Sequence, residues 1–347
     1  MAEAAPKLVS LELRPYAVAF ARPWKSARGT TTRRTGWIIR ARDAGGATGW
    51  GECAPLPGAG TESGSKAAAA LQAAVERLPG MTADAALSAC PGRDTPAARF
   101  GVEGALLDLL ARRAGLPLYR YLAPAAPGTV AVNAFGGALD DGLPERLAAA
   151  REAGFSVVKL KLATRPRAEE LAALEQAAAG SGGESWRLDV NRGWDLAGAR
   201  AAWARMNGLP LEAVEEPASD ADAAALADLQ ARANFAVALD ESLGQWPQDA
   251  PLPVRRQVLK PMVVGGPGAV LGLAARPGAE SVVTSSVETA VGLWHAAHLA
   301  AALDNGLAHG LDTGPWLRDL MGPALPIRAG MLRLGPEAGL GWSPPAP

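Results

Sequence analysis

Ser156-Val157-Val158-Lys159-Leu160-Lys161-Leu162 follows a helical run ending at Gly154, and its β-branched and aliphatic residues predict a short strand. Side chains two apart on a strand share a face. Val157, Lys159 and Lys161 therefore point one way, and Val158, Leu160 and Leu162 the other. An apolar face backed by two lysines has two readings. Either the strand is half exposed and its lysines are solvated, or the lysines enter a polar site.

The surrounding pattern bears on that choice. From about residue 129 short apolar strands alternate with helical runs. Strands are expected at Val130–Phe135, Val157–Leu162, Trp186–Val190, Leu211–Glu215, Ala236–Asp240, Gln257–Leu259, Val282–Ser285 and Ala308–Leu311. Helices are expected between most of them, at Leu143–Ala153, Arg167–Ala179, Leu196–Met206, Ala221–Ala233, Ala269–Ala275 and Val291–Leu303. Alternation of this length predicts a parallel sheet, and eight strands predict a closed α/β barrel.

Ahead of the barrel, Val9–Leu13 alternates, Gly36–Arg40 follows, and Asp43-Ala44-Gly45-Gly46 turns the chain into Thr48–Glu52. Arg22–Thr35 is basic and hydroxyl-rich and is expected to be a mobile loop. Glu52–Ser65, dense in Pro and Gly, is a second loop. Helices are expected at about Ser65–Leu78 and Ala97–Ala114, the second amphipathic through Val102, Leu106, Leu109 and Leu110. The expected organisation is an α+β module over 1–125 and a barrel over 126–311. A Pro- and Gly-rich tail, 312–347, has a strand at Met331–Leu334 and folds back onto the opening module.

Composition excludes several functions. Of 347 residues, 49% are hydrophobic and 20% charged, enough for a large core and unlike a disordered chain. The net charge of −1, without runs of like charge, argues against nucleic acid or an anionic membrane as partner. Cys53 and Cys90 make neither a disulfide framework nor a zinc cluster, as expected of a cytosolic protein. Met1–Pro6 does not read as a signal peptide.

Acids and a lysine recur where strands end. Asp189, Glu215, Asp240 and Lys260 are spaced 26, 25 and 20 residues apart, about one βα unit each. Equivalent positions on successive strands converge at the C-terminal mouth of a barrel, where its active sites lie. Carboxylates converging there would repel unless a cation lay between them. Oxygen-only ligation with open positions suits Mg²⁺. The lysines of the second strand and Lys260 then flank the ion. Glu215 and Glu216 cannot both face inward, nor can Asp240 and Glu241, and spacing alone leaves that choice open.

With these residues in view, the chain resembles the enolase superfamily, in the branch of muconate lactonising enzyme and o-succinylbenzoate synthase. The matching motifs are Lys159-Leu160-Lys161, Leu188-Asp189-Val190-Asn191-Arg192, Glu215-Glu216-Pro217, Leu239-Asp240-Glu241-Ser242 and Lys260-Pro261. Gly49–Gly58 with Thr61-Glu62, Phe100–Leu106, Ser285–Leu293 and Gly310–Thr313 resemble o-succinylbenzoate synthases more narrowly. Coverage runs from about residue 45 to 325. Val190, Thr289 and Ala290 depart from the family's usual residues, and the first 35 residues match poorly. The resemblance implies a modified TIM barrel, (β/α)7β, with an N-terminal α+β capping domain. It implies that Asp189, Glu215 and Asp240 bind Mg²⁺, for which Mn²⁺ can substitute. It implies that Lys161 is the base, that Lys159 supports it, and that Lys260 faces the other side of the substrate.

The implied reaction, in menaquinone biosynthesis, is a dehydration of a succinyl-substituted hydroxycyclohexadiene carboxylate. Its α-proton is weakly acidic because removal puts two negative charges on one ene-diolate, so a Lewis acid is needed. A lysine is a base only when neutral, and a neighbouring ammonium and a cation both disfavour its charge. Arg187 shares the inward face of Asp189 and either pairs with the carboxylates or contacts substrate. Asn191 is a candidate to orient a ligand, and Ser285 and Ser286 to hold the succinyl carboxylate. The rival within the branch is an N-acylamino acid racemase, with both lysine sets as bases. A dipeptide epimerase is disfavoured, because its acid pair on the last barrel strand is not apparent. A non-catalytic barrel would have no use for the ligands and lysines together. His295, His298 and His309 read as structural, and Gly58–Lys66 lacks the glycine spacing of a phosphate loop.

Overall fold

The computed structural model describes residues 5–26 and 29–344. The reading of Met1–Ala4 lies outside the described residues. β1 (Leu8–Ser26) and β2 (Gly29–Asp43) form an antiparallel hairpin, and β3 (Thr48–Cys53) pairs with β2. Arg22–Thr35 is thus strand on both sides of residues 27 and 28, not the loop expected: Trp24 faces Thr31, and Lys25 faces Thr30. Its threonines favour extended backbone. It lacks apolar alternation because Arg22, Pro23, Thr30, Thr32 and Arg33 are exposed and its buried position is an arginine, Arg34.

α1 (Gly64–Arg77), α2 (Ala83–Ser88), α3 (Pro96–Arg113) and α4 (Leu118–Leu122) cover this sheet. α3 is buried along nearly its whole length. It can lie that close because β3 carries Gly49 and Gly51, where a Cβ would collide with the α3 carbonyls of Ala105 and Gly101. Alternation thus places two glycines on one face of the strand, and a helix on top of them.

The barrel follows. β4 (Thr129–Val132) and β5 (Ala134–Ala138) divide what reads in sequence as one strand, with Asn133 between them. α5 (Leu143–Glu152), β6 (Val157–Lys161), α6 (Arg167–Ala179), β7 (Ser185–Asp189), α7 (Leu196–Met206), β8 (Leu211–Glu215), α8 (Ala223–Ala231) and β9 (Ala236–Leu239) continue the alternation. β10 (Arg256–Leu259), α9 (Pro261–Val264), α10 (Pro267–Ala274), β11 (Glu280–Val283), α11 (Ala290–Leu303) and β12 (Ala308–His309) complete it. β5 to β11 form one parallel sheet in sequence order. Ser285 N donates to Gly310 O at 3.0 Å and Gly310 N to Val283 O at 2.9 Å, joining β11 to the β12 segment. β12 in turn pairs with β4. Val158, Leu160 and Leu162 are buried in the core cluster that includes α5, α6 and α7, which leaves Lys159 and Lys161 to the barrel interior.

The tail adds β13 (Ile327–Arg328) and β14 (Met331–Arg333), and β14 runs antiparallel to β4. Beyond it, Leu118 N donates to Gly339 O at 2.8 Å and Leu340 N to Asp108 Oδ1 at 2.7 Å, so the chain returns to α3 and α4. No helix among the described residues is long and apolar enough to cross a membrane.

Cap and barrel are held together by buried charge. Glu52, on β3, is fully buried. It accepts from Tyr16 OH at 2.5 Å and Thr289 N at 2.9 Å, and from Thr289 Oγ1 at 2.7 Å and Gly292 N at 2.8 Å. The carboxylate therefore caps α11 from the other unit, satisfying amides that the helix leaves free. Arg34, also buried, donates to Val287 O at 3.0 Å and Pro55 O at 2.8 Å. Replacing Glu52 by Ala strands several buried donors, and each costs about 1–3 kcal/mol. Glu52→Ala is therefore expected to lower unfolding free energy by roughly 3 kcal/mol in urea denaturation. A loss below about 1 kcal/mol would mean that this clasp is not what joins the units.

Candidate active site

Parallel register brings the strand ends level. Lys161 lies opposite Asp189, Asp189 opposite Glu215, and Glu215 opposite Ala238, two residues before Asp240. Lys159 Nζ lies 2.8 Å from Asp189 Oδ2 and 2.5 Å from Glu215 Oε2. Lys161 Nζ lies 2.8 Å from the same Asp189 oxygen and 2.6 Å from Asn191 Oδ1. Lys260 Nζ lies 2.6 Å from Asp240 Oδ2. β6 and β10 are separated by β7, β8 and β9, so Lys260 approaches the mouth from a different side than Lys159 and Lys161.

The two open choices are resolved by backbone conformation. Glu215 is the inward, buried acid. Glu216 adopts a left-handed φ of 46° and turns along the rim. There it accepts from Asp240 N at 2.6 Å, Ser242 N at 2.9 Å and Ser242 Oγ at 2.7 Å. Glu216 thus fixes the loop that carries Asp240. Glu241 points to the rim and accepts from Asn191 Nδ2 at 2.8 Å, which orients Asn191 towards Lys161.

Left-handed residues cluster at these strand ends: Ala163, Asn191, Arg192, Glu216 and Val287. Each costs of order 1 kcal/mol or more unless its surroundings hold it. Buried Glu170 does so for the loop after β6, accepting from Ala163 N and Thr164 N at 2.9 Å each and Arg165 N at 3.1 Å. The mouth is therefore preset, as a catalytic site requires.

Charge follows from burial and pairing. Burial pulls the Lys159 ammonium towards neutrality, but Asp189, Glu215 and Asp240 outweigh it and raise its pKa. Lys260 behaves alike: burial opposes its charge, and Asp240 and Glu241 more than restore it. Burial opposes the Asp189 carboxylate too, yet Lys159 and Lys161 hold it below the usual carboxylate range. For Glu215 and Asp240 burial dominates, and both titrate above the ordinary value. Among the described residues no three His, Cys, Asp or Glu side chains converge to a metal-binding distance, because lysine ammonium groups lie between the acids.

Of the two readings of Arg187, pairing with the acids is the one its contacts match. It is buried, and its Nε donates to Glu212 Oε1 at 2.6 Å, Nη1 to Asn133 Oδ1 at 3.1 Å and Nη2 to Ala308 O at 2.9 Å. Its Nε is 3.8 Å from Glu215, so it braces the acids from within the barrel. Sequence alternation missed Glu212, which also pairs with Arg256. The register steps from Trp186/Leu211 to Arg187/Ala213, so Glu212 sits in a bulge where the two-residue period fails. Ser285 Oγ lies 2.5 Å from Thr313 Oγ1, linking the ends of β11 and β12. The Ser286 amide donates to Glu288, and its hydroxyl is buried beside that turn.

The histidines are packing groups. His295 Nε2 lies 2.8 Å from Trp50 O, His298 Nδ1 accepts from Tyr119 N at 3.1 Å, and His309 Nδ1 accepts from Val283 N at 2.9 Å. Both cysteines are buried, which pushes their thiols up, Cys90 to about 12.

Residues 143–346 match the family described as Enolase C-terminal domain-like, over more than half of the chain. The chain belongs to the enolase superfamily. Residues 16–109 match the family described as MenC, N-terminal domain. Among curated relatives, the L-Ala-D/L-Glu epimerase of Bacillus subtilis is 29% identical over 86% of each chain. The o-succinylbenzoate synthase of Mycobacterium leprae is 38% identical over 44% of this chain and 47% of that protein. The muconate lactonizing enzyme of Pseudomonas fluorescens, solved with muconolactone, superposes with a TM-score of 0.83 at 25% identity, covering 98% and 97% of the two chains. Fold and superfamily match the expectation from sequence.

Burial lowers the pKa of His295 to about 4 and those of His298 and His309 to about 3. Below about pH 6.5 the unfolded chain binds protons that these imidazoles refuse, so their contribution to stability falls as pH drops from there towards 4. Imidazole NMR signals are expected not to titrate between pH 8 and 5, and a midpoint near 6.5 would contradict their burial. Lys159→Met leaves two buried carboxylates short of a partner and is expected to cost about 3 kcal/mol in metal-free buffer. Unchanged urea stability of that variant would show that Lys161 alone neutralises the pair.

Proposed function

We propose that this enzyme dehydrates 2-succinyl-6-hydroxy-2,4-cyclohexadiene-1-carboxylate to o-succinylbenzoate in a syn elimination. The observation that carries this reading is the pairing of a MenC-type N-terminal domain with an enolase-type barrel whose mouth holds lysines on β6 and on β10.

Asp189, Glu215 and Asp240 fit a divalent cation. They offer oxygen only, they are shielded from water, and the cationic Nζ of Lys159 already bridges two of them. These three residues would hold Mg²⁺, or Mn²⁺ in its place. The ion supplies Lewis-acid stabilisation of the two charges that develop on the substrate carboxylate.

The lysines divide the remaining work by exposure. Lys159 is 17% exposed and clamped between two acids, whereas Lys161 is 32% exposed and held at one acid and one amide. Lys161 is the group that can reach a proton, and Lys159, clamped by two acids, is its charged neighbour. Nζ of Lys161 takes the α-proton, and the C–H electron pair passes into the adjacent carboxylate. That pair then forms the new ring double bond as the C–O bond breaks on the same face, and the proton on Lys161 leaves with the hydroxide as water. Lys260 offers its ammonium to the opposite face of the flat intermediate. N-acylamino acid racemisation is the second reading, favoured by the same disposition of Lys161 and Lys260, which would then act as opposed bases.

Purified protein with Mg²⁺ is expected to consume the diene with loss of its absorbance. No turnover, together with racemisation of N-succinylamino acids, would replace the first reading by the second. Lys161→Ala should lower kcat by about 10³-fold, within the usual worth of a general base. Its Tm should still rise with added Mg²⁺, and near-normal turnover in this variant would remove Lys161 as the base.

A further inference from the structure

Phe135 is one of few large apolar residues left substantially exposed, at 40%. It is not on the outer surface. On β5 it lies in register with Lys159, and paired residues of parallel strands share a face, so its ring stands at the charged mouth. The strand cannot present it otherwise. Neighbouring Gly136 faces the packed side, where a Cβ would meet Leu160 Cδ2 at 2.5 Å and Val158 Cγ1 at 2.7 Å. A one-residue slip would drive Phe135 into that packing. The register then shifts at Gly137, whose φ is 76°, and Arg146 grips the irregularity, donating to Gly136 O and Ala138 O at 2.5 Å each.

Its aromatic partner comes from beyond the last barrel strand. Trp316 meets Phe135 with ring centroids 4.9 Å apart and planes at 67°. Trp316 packs against the capping module's core. The segment after it is tied to β1, with Leu317 bridging Phe20 and Arg318 N donating to Ala19 O at 2.9 Å. Cap and barrel thus each brace one ring of the pair.

We propose that Phe135 and Trp316 form an aromatic corner that selects a planar, unsaturated ring in the substrate; this rests on, and narrows, the dehydration reading. Two rings at 67° offer a flat ligand both favourable aromatic geometries at once, stacked on one and edge-on to the other. Charged groups dominate the rest of the mouth, and its lysines can pair with a carboxylate of any shape. The exposed ring face is what an acyclic acyl-amino acid or dipeptide backbone would leave unused.

The test is calorimetric binding to the Mg²⁺-supplemented protein, independent of turnover. The probes are o-succinylbenzoate, which has the ring, and N-succinylglycine, which has the succinyl and carboxylate groups without it. Phe135→Ala is expected to weaken o-succinylbenzoate about tenfold and N-succinylglycine less than about twofold, in line with an aromatic pair's worth. Phe135→Leu, which keeps apolar volume and the fold, should fall between, and Trp316→Leu should act in the same direction. Unchanged affinity for the ring, equal weakening of both probes, or no binding of o-succinylbenzoate by the unmodified protein would overturn the corner. Ring binding through Phe135 without diene turnover would sink the dehydration reading and leave the corner standing. Turnover with ring affinity indifferent to Phe135 would do the reverse.

Discussion

Buried charge needs a partner, and the mouth of this barrel is organised by that need. Three carboxylates and three lysines sit at strand ends, and nearly every one is shielded from water. Left unpaired, each charge would cost several kcal/mol. Paired as they are, Lys159 bridges Asp189 and Glu215, and Lys260 pairs with Asp240. Arg187 and Glu212 continue the same alternation of sign into the barrel interior, where Arg256 joins them. The interior is therefore a stack of compensated charges standing on an apolar wall of Val158, Leu160 and Leu188. A divalent ion entering this arrangement would compete with ammonium groups for oxygen atoms already in use.

The same economy joins the two units. Glu52 from the cap ends an α-helix of the barrel, Arg34 ties together backbone carbonyls from both, and Glu62 in the cap accepts from the first amides of α3. Carboxylates at helix starts meet amides with no partner of their own and the positive end of the helix dipole. These contacts act beside apolar packing between the units, where Met262, Val287 and Val291 join the core of the cap. Trp316 and Phe135, braced from different units, meet at one corner.

Much of this was legible in order along the chain. Alternation of period two assigned Lys159 and Lys161 to one face, and the recurrence of acids at strand ends gathered Asp189, Glu215 or Glu216, and Asp240 or Glu241 at one rim. Both inferences rest on local geometry, which repeats without reference to distant residues. The failures share a cause as well. Arg22–Thr35 read as a loop because it carries no apolar period, its buried position being an arginine, Arg34. Glu212 was invisible because a bulge reverses its side chain. Arg187 left two readings open because its partners Asn133 and Ala308 are far away in sequence.

Legible along the chain alone were the βα alternation, the apolar outer face of Val158, Leu160 and Leu162, and the residue types gathered at one rim. Those depend on backbone periodicity, which is a property of neighbours. Contacts between distant elements turn Glu215 inward while Glu216, at φ 46°, braces the Asp240 loop. They likewise place lysine nitrogens between the acids, and bring Phe135 to Trp316. Left-handed residues, bulges and contacts across 180 residues are set by what packs against the chain, and no local period encodes them.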